Sequence, residues 1–143
     1  MSKIYTPESA GKDRTRLSKS IVLALRELMK QTEPNDVTSD LTAYVVLALE
    51  EIAGNIDRSV EAWEKRGYWL KADRFQMEWE WTDRLSGSMR QALLNEDWPT
   101  IAKVSAQVAE KVKSVDVPQR NHIGTPWVGA WEKLCAAPHH NPS

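Results

Sequence analysis

Apolar residues spaced three and four apart recur in four successive stretches of this chain, and that helical period limits its fold more than any other feature. From Asp13 to Gln31 the apolar positions are Leu17, Ile21, Ala24, Leu25 and Leu28. Such spacing lines one face of a helix and does not suit a strand. Glu33-Pro34-Asn35 stops this helix, because Pro34 biases Glu33 away from helical angles. A second helix is expected to begin after Ser39 or Asp40, either of which can cap free N–H groups, and to run to about Arg66. Its stripe is Leu41, Tyr44, Val45, Ala48, Ile52, Ile56 and Trp63. A third helix is expected from Leu70 to Leu94, with Phe75, Trp79, Trp81, Leu85, Met89, Ala92 and Leu93 on one broad face. Asn95-Glu96-Asp97 ends it.

The fourth stretch is the best marked by its ends. Asp97 is a candidate cap and Pro99 falls in the first turn, where its missing N–H costs nothing. Ile101, Val104, Val108, Val112 and Val115 form its face, and Val117-Pro118 closes it. Thr125-Pro126 then opens a short helix carrying Trp127, Val128, Trp131 and Leu134, with both indoles expected to be buried. The pattern predicts an all-α fold, an antiparallel four-helix bundle with a short C-terminal helix packed across it. A single helical domain over 1–143 is expected, with 1–12 and 137–143 as flexible ends.

The joint between helices two and three decides the topology. Gly67 can adopt the left-handed angles that end a helix. No Ser, Thr, Asp or Asn between Glu64 and Ala72 starts the next one, and the apolar period runs nearly in phase from Trp63 through Leu70 to Met77. The alternative is one long helix through Gly67, roughly 80 Å from end to end, which only an elongated dimer could cover. A hairpin is favoured, because helices that long are rare in globular domains.

Composition excludes several functions. Lys plus Arg number 19 and Asp plus Glu 20, so nothing general favours nucleic acid or an anionic membrane. No apolar run reaches the length of a membrane span. A lone Cys135 forms no internal disulfide, which suits a reducing compartment, and a cytoplasmic location is expected. Tryptophan is the outlier, with seven against one Phe and three Tyr. Indoles fill gaps between helices, and they also mark ligand pockets and protein interfaces.

Polar residues interrupt the apolar faces of helices two and three. If the chain turns at Gly67 to Trp69, Asn55 lies beside Thr82, Ser59 beside Glu78, and Trp63 beside Arg74. A buried carboxylate or guanidinium costs several kcal/mol unless paired and hydrogen-bonded. Such a layer either fixes helix register or forms a pocket. In the pocket reading, Arg74 receives an anionic group, Glu78 a cation or proton, and Trp79 or Trp81 stacks on the ligand. The candidate ligand-binding set is therefore Asn55, Ser59, Trp63, Arg74, Glu78, Trp79, Trp81 and Thr82.

Other signals carry less. Lys65, Arg66 and Lys71 flank Tyr68 and Trp69, a mixture that can bind phosphates and stack bases. A helix-hairpin turn accounts for it as well, with the cations at the negative end of helix two and the two rings covering the bundle end. Glu50, Asp57, Glu61 and Glu64 form an acidic side of helix two, as expected of a solvated face. No Glu-x-x-His pair, His-x-x-x-His, paired cysteines or Gly-x-Ser-x-Gly occurs, so no catalytic residue, metal or cofactor is implied. The expected function is binding, first of a protein partner or another copy of the chain. The alternative is a small-molecule binder or enzyme built on the polar layer. Nucleic acid is disfavoured.

Overall fold

A computed structural model describes residues 6–136. The described residues form five helices: α1 (Pro7–Leu28), α2 (Asp36–Lys65), α3 (Trp69–Leu94), α4 (Trp98–Lys111) and α5 (Ala130–Ala136). The fold is all-α, four long helices in a bundle with a short C-terminal one, as the periodicity predicts. None of these helices is long and apolar enough to cross a membrane.

Local chemistry sets the helix ends. α1 starts six residues before the expected Asp13. The Thr6 hydroxyl accepts from the Ser9 N–H at 3.0 Å, and Pro7 occupies the first turn. Residues 7–12 are therefore helical, contrary to the flexible end expected over 1–12, whose first five residues lie outside the described region, as do 137–143. α2 starts before Ser39. Asn35 accepts from the Thr38 N–H at 3.0 Å while Thr38 Oγ1 accepts from the Asn35 N–H at 3.3 Å, a reciprocal capping box. Asp97 caps α4, accepting from the Thr100 N–H. α4 ends at Lys111, and Val112 and Val115 continue its apolar face in irregular chain.

The chain does fold back at the predicted joint. Gly67 takes φ 81°, and its N–H donates to the Glu64 carbonyl at 3.0 Å. α3 begins with no side-chain cap, so the reversal depends on this glycine. The continuous rod through Gly67 is excluded.

α2 is the central helix and packs against α1, α3 and α5, while α4 packs mainly on α3. Between Leu41 and Ile52 only Glu51 is exposed. The run Val45-Val46-Leu47-Ala48-Leu49 is apolar on every side, as a helix surrounded by neighbours requires. Ile21, Leu49, Ile52, Met89, Leu93, Val108 and Leu134 are fully buried, so all five helices share one core. From α4 the chain returns past α1, where Arg26 Nη2 donates to the Val117 carbonyl at 2.8 Å. Asp40 then receives the N–H groups of Gly129 (3.2 Å) and Trp131 (2.9 Å), which seats α5 on α2. The helix begins at Ala130 because residues 126–129 form a turn. Trp127 is buried as expected, but Trp131 is only half-buried and Val128 is exposed.

Helix lengths determine what remains uncovered. At 1.5 Å per residue, α2 and α3 extend about 45 and 39 Å, against about 33 Å for α1 and 21 Å for α4. Arg14 of α1 reaches Asn55, so α1 runs out near the last third of α2. The ends of α2 and α3 on either side of Gly67 therefore project beyond both neighbours.

Candidate functional site

The projecting α2–α3 hairpin contains most of the candidate residues, but not in the expected arrangement. Asn55, Ser59 and Thr82 are buried. Asn55 pairs with α1: its Oδ1 accepts from Arg14 Nη1 at 2.8 Å, and its Nδ2 donates to the Ala10 carbonyl at 3.1 Å. Ser59 and Thr82 turn back on their own helices, donating to the carbonyls of Asn55 (3.2 Å) and Trp79 (2.7 Å). Arg74 and Glu78 are exposed. The expected layer uniting them with Ser59 and Asn55 is not there. The side of α3 turned to α2 at this height carries Ala72, Phe75, Trp79 and Thr82, spaced three and four apart, and Arg74 and Glu78 fall beside that stripe. The cation that reaches the hairpin comes from α1.

Arg14 organises an aromatic cluster. Its guanidinium lies 4.9 Å from the Phe75 ring centre and 5.9 Å from that of Trp79. Trp63 meets Phe75 edge-on at 4.7 Å, and Trp79 stacks on the buried Trp81 at 6.2 Å. Lys71 Nζ lies 4.5 Å from the Trp63 ring centre. Trp63 and Phe75 sum to 138, against the 137 expected for residues at equal height, so the register across the turn is close to the expected one. Arg14 is not among the residues the polar layer predicts. The available signal was its position three residues before Leu17, in phase with the apolar stripe of α1.

Beyond this cluster the tip is bare. Of residues 69–80 only Ala72 is buried. Tyr68, Trp69, Leu70 and Met77 retain 55%, 64%, 63% and 69% of their surface, so Tyr68 and Trp69 do not cover the bundle end as a hairpin-turn reading expects. A shallow cleft of about 580 Å³ opens among Trp63, Tyr68, Trp69, Lys71, Arg74 and Glu78. Of the candidate phosphate-binding cations, Lys65 pairs with Glu61 at 3.3 Å, Arg66 caps the end of α2, and Lys71 covers Trp63.

The acidic side of α2 is also divided. Glu50 is half-buried and takes a two-pronged bond from Arg90 of α3, Nε to Oε2 and Nη2 to Oε1, both 2.8 Å. Asp57 is exposed near Asp83 of α3. Burial and the Asp83 charge raise its pKa above the usual 3.8, while Arg58 opposes the shift.

The fold and this site define a class, a helical bundle with a protruding aromatic hairpin. No protein-family model matches the chain, and comparison with curated proteins and with solved structures finds no similar protein.

Proposed function

We propose that this chain is a protein-interaction module that docks through the α2–α3 tip, and that the partner is a second copy of itself. One observation carries this reading: Tyr68, Trp69, Leu70 and Met77 are exposed together on the part of the hairpin that no other helix covers. Together they offer roughly 500 Å² of apolar surface. That is within the roughly 300–600 Å² of the largest patch on a typical monomer, a patch that is often functional. With its polar surround it approaches the roughly 800 Å² per partner of a standard interface.

Charge supports self-pairing. Between Glu61 and Glu78 the four cations Lys65, Arg66, Lys71 and Arg74 stand among the four carboxylates Glu61, Glu64, Asp73 and Glu78. A nucleic acid or a strongly charged protein would meet as much repulsion as attraction here. A two-fold dimer requires a self-complementary patch, and a balanced one qualifies. We place this module in the cytoplasm, in keeping with its one unpaired and exposed cysteine, Cys135.

Light scattering coupled to gel filtration, run over a hundredfold range of protein concentration, tests the proposal. Mass should rise towards twice the chain mass, and tryptophan emission should shift to the blue in step, because Trp69 is the exposed indole. A constant single-chain mass at millimolar concentration would contradict it.

A further inference from the structure

A second concave surface lies at the other end of the bundle. The last turns of α1, the α1–α2 connection and one side of α4 enclose a cleft of about 650 Å³, within the usual range for small-molecule sites. Leu25 and Leu28 form one wall. Trp98, Ala102, Ser105 and Ala109, spaced four, three and four apart on α4, form the other. The lining is mainly apolar, and the Trp98 indole supplies a flat surface.

Ser105 is out of place in such a wall. Its hydroxyl oxygen is buried and has no hydrogen-bond partner among the described residues. Other helical hydroxyls at buried positions turn back onto their own helix: Thr42 to the Thr38 carbonyl, Ser59 to that of Asn55, Ser86 to that of Asp83. Leaving a buried hydroxyl unbonded is costly, so a turn of the Ser105 side chain about χ1 towards the cleft, where a ligand group can meet it, gains that bond. Charge narrows the choice. Among the described residues the only charged ones lining the cleft are Glu33 and Glu110, and Lys113 engages Glu110 at 2.6 Å without lining the cleft itself. An anionic ligand finds no cation among the described lining residues.

We infer that this cleft binds an uncharged, mostly apolar molecule of aromatic size, with one hydrogen-bonding group directed at Ser105. The site is independent of the α2–α3 tip. Three probes test it: 2-naphthol, naphthalene and 2-naphthoate, titrated into the full chain while NMR follows the Trp98 indole N–H. Binding should rank 2-naphthol first, naphthalene about fivefold weaker for lack of one net hydrogen bond, and 2-naphthoate last. Ser105→Ala should erase the difference between naphthol and naphthalene. Ala102→Phe, at an exposed position on the cleft wall, should weaken all three by about tenfold with circular dichroism unchanged. Naphthoate binding as tightly as naphthol would overturn the assignment. So would naphthol affinity indifferent to both substitutions. A Trp98 signal that follows protein concentration instead of naphthol would make the cleft a contact between copies, and the inference would fail.

Discussion

Arg74 and Glu78 sit one turn apart on α3 at the border of the exposed tip, and they allow the self-pairing to be tested by charge reversal. Two α3 helices that pair antiparallel about an axis near Gln76 bring Arg74 of each copy against Glu78 of the other. Opposite charges about 4 Å apart in water attract by ~1 kcal/mol. Arg74→Glu turns each attraction into a comparable repulsion, a change of ~2 kcal/mol per contact and ~4 kcal/mol over the two symmetric contacts. Screening at physiological salt, where the Debye length is about 8 Å, and side-chain mobility reduce this to ~2 kcal/mol. The dimer Kd should weaken about thirtyfold. Glu78→Arg should do the same, and the double reversal should restore association to within about threefold. Both residues are exposed, so none of the variants should change the melting temperature of the separate chain by more than a degree or two. Sedimentation velocity at low and at high salt measures all four proteins. If the single reversals leave Kd unchanged, or the double reversal binds no better than either single, the pairing argument fails.

Three more expectations concern the tip and its support. Trp69→Ser should abolish dimerisation at micromolar concentration, since a central indole contributes about 2 kcal/mol or more and symmetry counts it twice; gel filtration would show a single-chain mass. Glu50→Gln should lower stability by about 2–3 kcal/mol in urea unfolding. It strands the Arg90 guanidinium, 9% exposed, and the loss stays below the full buried-pair value because Glu50 keeps 28% of its side-chain surface. A cost under about half a kcal/mol would show the bond to be dispensable. Asp57→Asn tests the sign of a pKa shift. Because the folded state raises this carboxyl above 3.8, its charge opposes folding, absent at pH below the ordinary value and fully present above the raised one. The substitution should therefore add a few tenths of a kcal/mol, at most ~0.5, at pH 7 and nothing near pH 3; equal gains at both pH values would refute the cause assigned.

How far sequence alone reaches depends on whether a signal is local. Asp97 with Pro99, and Gly67, act through their own backbone or the adjacent turn, and each marks a helix end in the structure, whereas α1 ends at Leu28, six residues before the Pro34 expected to stop it. The Thr6 cap is equally local but carries no helix signal of its own in the sequence, because no apolar stripe follows until Leu17. The register across the turn was legible because two helices joined by a short loop can only run side by side. What a helical wheel does not contain is the identity of a third neighbour. Arg90 and Glu50 are in different helices, and each looks like a surface residue until the other is placed within reach. Arg14 reaches Asn55, 41 residues away, and takes the place that sequence spacing offered to Arg74.

The same consideration explains why the tip is exposed. α3 has a low amphipathic contrast because it has two environments. Its second half, from Trp81 to Leu93, faces α2 and α4 and buries Leu85, Met89, Ala92 and Leu93. Its first half packs along α2 and meets α1 through Arg14 at Phe75 and Trp79, while α4 does not extend to it, since α4 is 14 residues long and α3 is 26. A helix with one long neighbour needs one narrow stripe, here Ala72, Phe75 and Trp79. Selection for solubility alone would make the remaining positions polar, yet Trp69, Leu70 and Met77 occupy them. These side chains contribute little to the fold of the separate chain, so their removal should weaken association and leave unfolding almost unaffected. A Trp69→Ser, Met77→Ser double variant that unfolds several kcal/mol more easily would mean that the tip is part of the core after all.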